Sequence, residues 1–183
     1  MTDYFALLEQ PRVPWLEPDA LKEVFRRKTL EQHPDITTSG SEGRFAELNE
    51  AYQVLQDPKR RLQHLLELQG SPLSRTAESV PGELQELFLR IGERNQQTKL
   101  LLERMRGQSS ALERSLLKSR LLEAQQAIEN LRHEVRDLTE TANHELKDLE
   151  PSQVEKVSRL HSTFAYLGRW TEQLDELAFQ LSL

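Results

Sequence analysis

Apolar residues recur at spacings of three and four along most of the chain, and that period predicts helix nearly throughout. Tyr4-Phe5-Ala6-Leu7-Leu8 reads as a short helix capped by Thr2 or Asp3, ended by the loop that holds Pro11 and Pro14. Pro18 suits the first turn of the next helix, with Asp19 near its positive end. Leu21, Val24 and Phe25 give that helix its apolar face, and it runs to about Gln32. His33-Pro34-Asp35 stops it, because the residue before a proline is pushed out of the α region. Residues 36–43, from Ile36 through Thr37, Thr38, Ser39, Gly40 and Ser41 to Gly43, read as a polar loop. Phe45, Leu48, Tyr52 and Leu55 then mark the apolar face of a third helix, assigned to the core by its spacing. Asp57-Pro58 interrupts it and opens a fourth helix through Leu62, Leu65, Leu66 and Leu68, which Gly70 ends.

A Ser- and Pro-rich stretch, residues 71–82, reads as a linker, and beyond it everything reads as long amphipathic helix. One helix from about Glu83 to Arg106 carries Leu84, Leu87, Phe88, Ile91, Leu101, Leu102 and Met105. After a break at Gly107-Gln108-Ser109-Ser110, a second carries Leu112, Leu116, Leu121, Ala124, Ile128, Leu131, Val135, Leu138, Ala142, Leu146 and Leu149. Glu150-Pro151-Ser152 separates it from a third through Val154, Val157, Leu160, Phe164, Leu167, Leu174, Leu177 and Leu181. Three helices joined by short breaks predict an antiparallel three-helix bundle over residues 83–183. The predicted fold is all-α, and no internal repeat suggests a solenoid.

Composition narrows what such a helical chain could do. It has no Cys, which excludes disulfides, thiolate metal sites and cysteine nucleophiles. Its 7 glycines form no phosphate-cradling string. With 24 Lys+Arg against 30 Asp+Glu the net charge is −6, the wrong sign for a nucleic-acid binder. The imbalance is even: 9 Lys+Arg against 12 Asp+Glu up to Gly70, and 15 against 18 after it. No positive n-region and no apolar run of 18 residues occur, so neither a signal peptide nor a membrane span is expected, and the cytoplasm is the simplest location. His64, His133, His144 and His161 are scattered. His133 and His144 lie eleven residues apart, three helical turns, too far to share a metal unaided. No Ser/His/Asp spacing supports catalysis. The expectation is a binding protein without catalytic residues, metal or cofactor.

The local exception to the acidic charge lies just before His33. From Lys22 to Glu31, four cations (Lys22, Arg26, Arg27 and Lys28) stand against two carboxylates, Glu23 and Glu31. Lys22 and Arg26 are four apart and share a helix face. A basic cluster alone is more often a solvated face. A basic face leading into an exposed turn that carries Asp35 makes a polar docking surface.

The segments that carry these features, DYFALLEQP, LKEVFRRKTLEQHPD and FAELNEAYQVLQDPKRRLQHLLELQG, resemble a J-domain. This is the module by which DnaJ-type co-chaperones engage DnaK-type ATPase chaperones. Asn49-Glu50-Ala51-Tyr52, Leu55, Asp57-Pro58, Arg61 and the run from Leu65 to Gly70 look like the third-helix pattern of the HscB branch, dedicated to iron–sulfur cluster assembly. The likeness is close to Gly70 and follows only in outline afterwards. It implies an N-terminal J-domain helical hairpin over 1–70, the linker, and a client-binding C-terminal three-helix bundle. It also implies roles. His33, Pro34 and Asp35 would trigger ATP hydrolysis in a DnaK/HscA-type chaperone, with Asp35 pairing with an arginine of the partner. Lys22, Arg26 and Arg27 would supply steering charge. The client, an iron–sulfur scaffold protein, would meet a patch whose nearest equivalents are Leu84, Leu87, Phe88, Ile91 and Phe164. The helical spacing of these five fits a bundle core better than a patch.

Several positions depart from the family pattern. Lys28 stands where a Leu usually packs, and Ile36-Thr37 replaces the usual basic–aromatic pair. The acidic motif of the first C-terminal helix and the cysteine extension of some eukaryotic members are missing from the sequence. The alternatives are a J-protein with another client, or a helical, coiled-coil adaptor whose J-like part merely packs. The oligomeric state cannot be read from the sequence.

Overall fold

The computed structural model describes residues 2–31, 41–71, 80–106 and 111–182, with side-chain environments omitted at 41, 42, 106 and 111–114. Among the described residues there are seven α-helices and no strand: α1 Tyr4–Leu7, α2 Pro18–Glu31, α3 Ser41–Gln56, α4 Pro58–Leu68, α5 Gln85–Arg106, α6 Ala111–Lys147 and α7 Val154–Ser182. One 3₁₀ turn, Gly82–Leu84, leads into α5. The all-α expectation holds. His33-Pro34-Asp35, most of the expected 71–82 linker and the 107–110 break lie outside the described residues.

Local signals explain most helix ends. Asp3, rather than Thr2, caps α1, its Oδ1 accepting from the backbone N–H groups of Phe5 and Ala6 at 3.0 and 3.2 Å. The helix ends before the prolines are reached. Glu9 adopts φ 52°, and Gln10 N–H closes onto Phe5 O at 2.8 Å while Glu9 N–H reaches Ala6 O at 3.2 Å. Asp57 caps α4 by accepting from Arg60 N–H at 2.7 Å, with Pro58 in the first turn. Gly70, at φ 71°, ends α4 as the sequence predicts, with Ser71 N–H bonded to Leu66 O at 3.0 Å. The third helix starts earlier than expected, at Ser41 rather than after Gly43. Gly43 keeps its N–H and costs the helix only backbone entropy, about 0.5–1 kcal/mol relative to alanine.

The chain divides into two compact units that do not follow chain order: residues 1–78 with 142–162, and residues 79–141 with 163–183. In the first, α3 packs against α1, α2 and α4. Phe5, Leu8, Leu16, Leu21, Leu48, Ala51, Leu55, Leu62, Leu65 and Leu66 are buried there, and each fully buried Leu or Phe contributes about 1.5–3 kcal/mol. Phe25 and Tyr52 stack at 4.3 Å across the α2–α3 seam, half-buried. The end of α6 and the start of α7 belong to this unit. Gln69 Nε2 donates to Pro151 O at 3.0 Å, and Lys147 Nζ lies 4.9 Å from the centroid of the Trp15 ring.

In this unit one expected core residue is not core. Phe45 is 40% exposed, because the buried face of α3 begins a turn later, at Leu48. Helical spacing fixes which face points inward but not how far along it a partner reaches.

In the second unit α5, α6 and α7 form the expected three-helix bundle. Leu84, Leu87 and Ile91, Ile128, Leu131 and Val135 of α6, and Leu167, Trp170, Leu174 and Leu177 of α7 are all buried there, a Leu-rich core. Arg90 and Glu134 form a two-pronged ion pair at 2.8 and 2.7 Å between α5 and α6. Arg132 Nε reaches Asp175 Oδ1 at 2.8 Å between α6 and α7. Leu116, expected on the apolar face of α6, is 62% exposed, and its neighbour Leu117 is buried instead.

Candidate functional site

The basic face of α2 is built by helix geometry. Leu21 is fully buried and Phe25 stacks on Tyr52, so the residues one position later, Lys22 and Arg26, fall on the outer side of the helix. Both are exposed, and among the described residues neither has a carboxylate partner.

The other two cations of α2 are occupied. Lys28 Nζ donates to Glu9 Oε1 at 2.8 Å, and Arg27 also donates to Glu9 and lies 4.0 Å from Glu31. The left-handed backbone of Glu9 carries its carboxylate toward α2. The Lys28 hydrogen bond, with Arg27 adding, holds the Glu9 carboxyl below its ordinary range. Lys28 is thereby half-buried and neutralised where the J-domain pattern has a Leu. The structure thus separates the cations expected to act together: Lys22 and Arg26 are free, whereas Arg27 already serves an internal pair.

Two buried polar residues hold this surface in place. Arg61 of α4 is only 3% exposed. Its Nε donates to Pro14 O at 2.7 Å and its NH1 to Leu55 O at 2.6 Å, so one guanidinium ties the α1–α2 connection to the last turn of α3. Burial pushes its pKa down to about 10, which leaves it cationic at neutral pH. His64, one turn further, is buried against Tyr4 and Phe5, with ring centroids at 4.6 and 5.7 Å, and its Nε2 accepts from Tyr4 N–H at 3.1 Å. That bond requires the proton on Nδ1, and burial lowers the pKa of the ring. At Asp3 burial acts upward, but Arg12, at 2.5 Å, and the N–H groups of Ala6 and Phe5 outweigh it and hold the carboxyl down. In the sequence Arg61 falls within the HscB-like third-helix pattern and His64 among the scattered histidines. Nothing in their spacing marked them as the ties of the fold.

Residues 3–64 match the sequence profile of the family described as DnaJ domain. The chain carries a DnaJ domain. Residues 3–64 thus meet the expectation their motifs raised. Chaperone protein DnaJ 2 of Streptomyces coelicolor is 40% identical over 77 residues, 42% of this chain and 19% of that protein. Chaperone protein DnaJ 1 of Cutibacterium acnes is 46% identical over 43 residues, 24% of this chain and 11% of that protein. The chain therefore spans about a fifth or less of these relatives' lengths. Among solved structures, chaperone HscB from Vibrio cholerae aligns with a TM-score of 0.60 at 19% identity, covering 98% of this chain and 99% of that one. Human co-chaperone HscB aligns with a TM-score of 0.57 at 17% identity, covering 96% and 82%. The fold beyond the DnaJ domain is therefore that of HscB.

The five residues expected to form a client patch do not share one environment. Leu84, Leu87, Ile91 and Phe164 are buried, so the bundle-core alternative describes them. Phe88 is 45% exposed beside the equally open Leu89, and its ring lies 6.5 Å from that of buried Trp170. Among the described residues no group of three or more His, Asp or Glu could hold a metal, and no helix is long and apolar enough to cross a membrane.

Proposed function

We propose that this protein is a J-domain co-chaperone that stimulates the ATPase of a DnaK/HscA-type chaperone and delivers to it a client held on the C-terminal bundle. The observation that carries the reading is the DnaJ-domain match over residues 3–64, with Lys22 and Arg26 exposed and unpaired on α2. In this account residues 1–70 are the chaperone-binding J-domain, 71–82 a linker and 83–183 the client-binding domain. His33, Pro34 and Asp35 form the trigger, Asp35 offering a carboxylate to an arginine of the partner. Lys22 and Arg26 steer the encounter, and Arg27 contributes less because Glu9 already neutralises it. The co-chaperone itself has no catalytic group. It acts by binding the hydrolysis-competent conformation of the ATP-bound partner better than the alternative one, which shifts the partner's population.

For the client, the HscB fold supports an iron–sulfur scaffold protein. The docking patch centres on Phe88 and Leu89, because their former companions are core. A J-protein with a different client is the second reading, favoured by the burial of Leu84, Leu87, Ile91 and Phe164. Co-precipitation of a cluster scaffold protein with the wild-type chain and with Phe88→Ala separates the two. Capture by the wild type and loss of most of it in the variant support the scaffold reading. No capture by the wild type removes the scaffold client, and equal capture by both removes Phe88 from the patch.

A further inference from the structure

The second unit holds a cationic cavity that the co-chaperone reading does not use. It has a volume of about 310 Å³ and lies between α5 and α6, where Arg94, Thr98 and Arg104 of one helix face Arg120 and Glu123 of the other. On α5 Arg94, Thr98, Leu101 and Arg104 stand four, three and three apart, and on α6 Arg120 and Glu123 stand three apart, so the cavity follows one face of each helix. Leu101 and Ala124 add an apolar wall. Such a volume is at the lower end of small-molecule sites, which start at about 300 Å³.

Two independent features point to an anionic occupant. Arg94, Arg104 and Arg120 have no carboxylate partner among the described residues, unlike Arg90 and Arg132 of the same unit. Set against the single carboxylate of Glu123, three guanidiniums leave a local excess of two positive charges in a chain whose net charge is −6. Second, Thr98 is 1% exposed, and its Oγ1 is buried without a hydrogen-bond partner although it lines the cavity. Thr139 and Thr171 satisfy their hydroxyls on the carbonyl four residues back at 2.7 and 2.9 Å, whereas Thr29, Thr98 and Thr163 do not, and of these three Thr98 lines the cavity. Thr98 thus carries a buried, unpartnered hydroxyl in a residue that lines a basic pocket.

We infer that this cavity binds a small phosphate monoester. Guanidinium forks and a hydroxyl donor match the oxygens of a phosphoryl group. A phosphate monoester carries about −1.5 to −2 charge near neutral pH, which balances the local excess, whereas a monocarboxylate would balance half of it. The Leu101–Ala124 wall would take the organic part of the ester. The bound anion would join Arg94 on α5 to Arg120 on α6 and so staple that hairpin.

The test uses the full chain with phenyl phosphate, AMP, inorganic phosphate and adenosine, read by titration calorimetry and by the melting temperature. The expected result is one site per chain for phenyl phosphate or AMP, at least about tenfold tighter than for inorganic phosphate, with no binding of adenosine. Arg94→Gln and Arg120→Gln should each weaken binding about tenfold, Thr98→Val by a smaller factor, and Glu123→Gln should tighten it. A rise in melting temperature with ligand, lost in Arg120→Gln, would accompany binding. Circular dichroism establishes that each variant folds. Failure of both esters to saturate a site overturns the inference, as would inorganic phosphate binding as tightly as the esters. Affinities unchanged in Arg94→Gln and Arg120→Gln would overturn it too, and the cavity would then hold only water.

Discussion

Arg61 offers the sharpest test of how the DnaJ domain is held together, because three substitutions at one buried site separate charge from shape. The wild-type guanidinium donates to Pro14 O and Leu55 O at 2.7 and 2.6 Å, and each bond from a charged donor is worth about 1.5–3 kcal/mol. Two of them contribute about 3–6 kcal/mol. Against this stands the burial of the charge, which moves the pKa from 12.5 to about 10. At about 1.36 kcal/mol per pKa step that penalty is roughly 3 kcal/mol. Arg61→Met removes both contributions, leaves two buried carbonyls without donors, and should lower stability by about 2 kcal/mol. Arg61→Lys keeps the charge but cannot reach both carbonyls at once, so it should cost more than Met, about 3 kcal/mol. Arg61→Ala adds an unfilled volume and should be worst of the three. Urea unfolding followed by Trp15 fluorescence in a Trp170→Phe background reports the first unit alone, since Trp15 belongs to it and Trp170 does not. The order Lys less stable than Met is the diagnostic outcome. If Lys proves as stable as the wild type, charge rather than the two-carbonyl geometry stabilises the site and the reasoning fails.

Two further predictions follow from the same unit. The pKa of His64 is lowered in the fold, so the unfolded chain takes up the proton first as pH falls. Its contribution should be fully present above about pH 6.5 and lost as pH drops from there through the lower folded value. Melting curves at pH 7.5 and 5.0 should show that loss, and a His64→Gln variant should show a flatter dependence; equal pH slopes would contradict the assigned protonation. On α2, replacing both Lys22 and Arg26 by Gln should weaken binding to the ATP-bound chaperone about fivefold at low ionic strength, with the difference shrinking at high salt. Arg27→Gln should have the smaller effect because its charge is already paired with Glu9. Binding titrations across salt concentrations measure both, and a larger effect from Arg27 would reverse the assignment of the steering cations.

Much of this fold was legible because the signals are local. Asp3, Asp57-Pro58 and Gly70 punctuate helices through bonds made within a few residues of themselves; the sequence marks Asp57-Pro58 and Gly70 outright and offers Asp3 beside Thr2 as the cap of α1. The face of α7 followed equally from spacing. What escaped depends on partners far along the chain. Phe45 and Leu116 have the right period but lie outside the packed stretch of their helices. Lys28 looked like part of a docking face and is instead tied to Glu9, whose left-handed backbone no composition rule announces. Arg61 reaches a carbonyl 47 residues away, and His64 an N–H 60 residues away. Polar residues buried by such long-range bonds read, in a sequence, as ordinary surface. The buried hydroxyl of Thr98 falls in the same class, since only the facing helix turns it into the wall of a cavity.

The central claim is that this DnaJ domain switches a partner ATPase through Asp35. A single-turnover measurement of ATP hydrolysis by a DnaK-type chaperone, with the wild-type chain and with Asp35→Asn, tests it most directly. Stimulation by the wild type and its loss in Asp35→Asn, with the helical content of the variant unchanged, is the predicted result. Absence of stimulation by the wild type, or stimulation that survives the substitution, would contradict it.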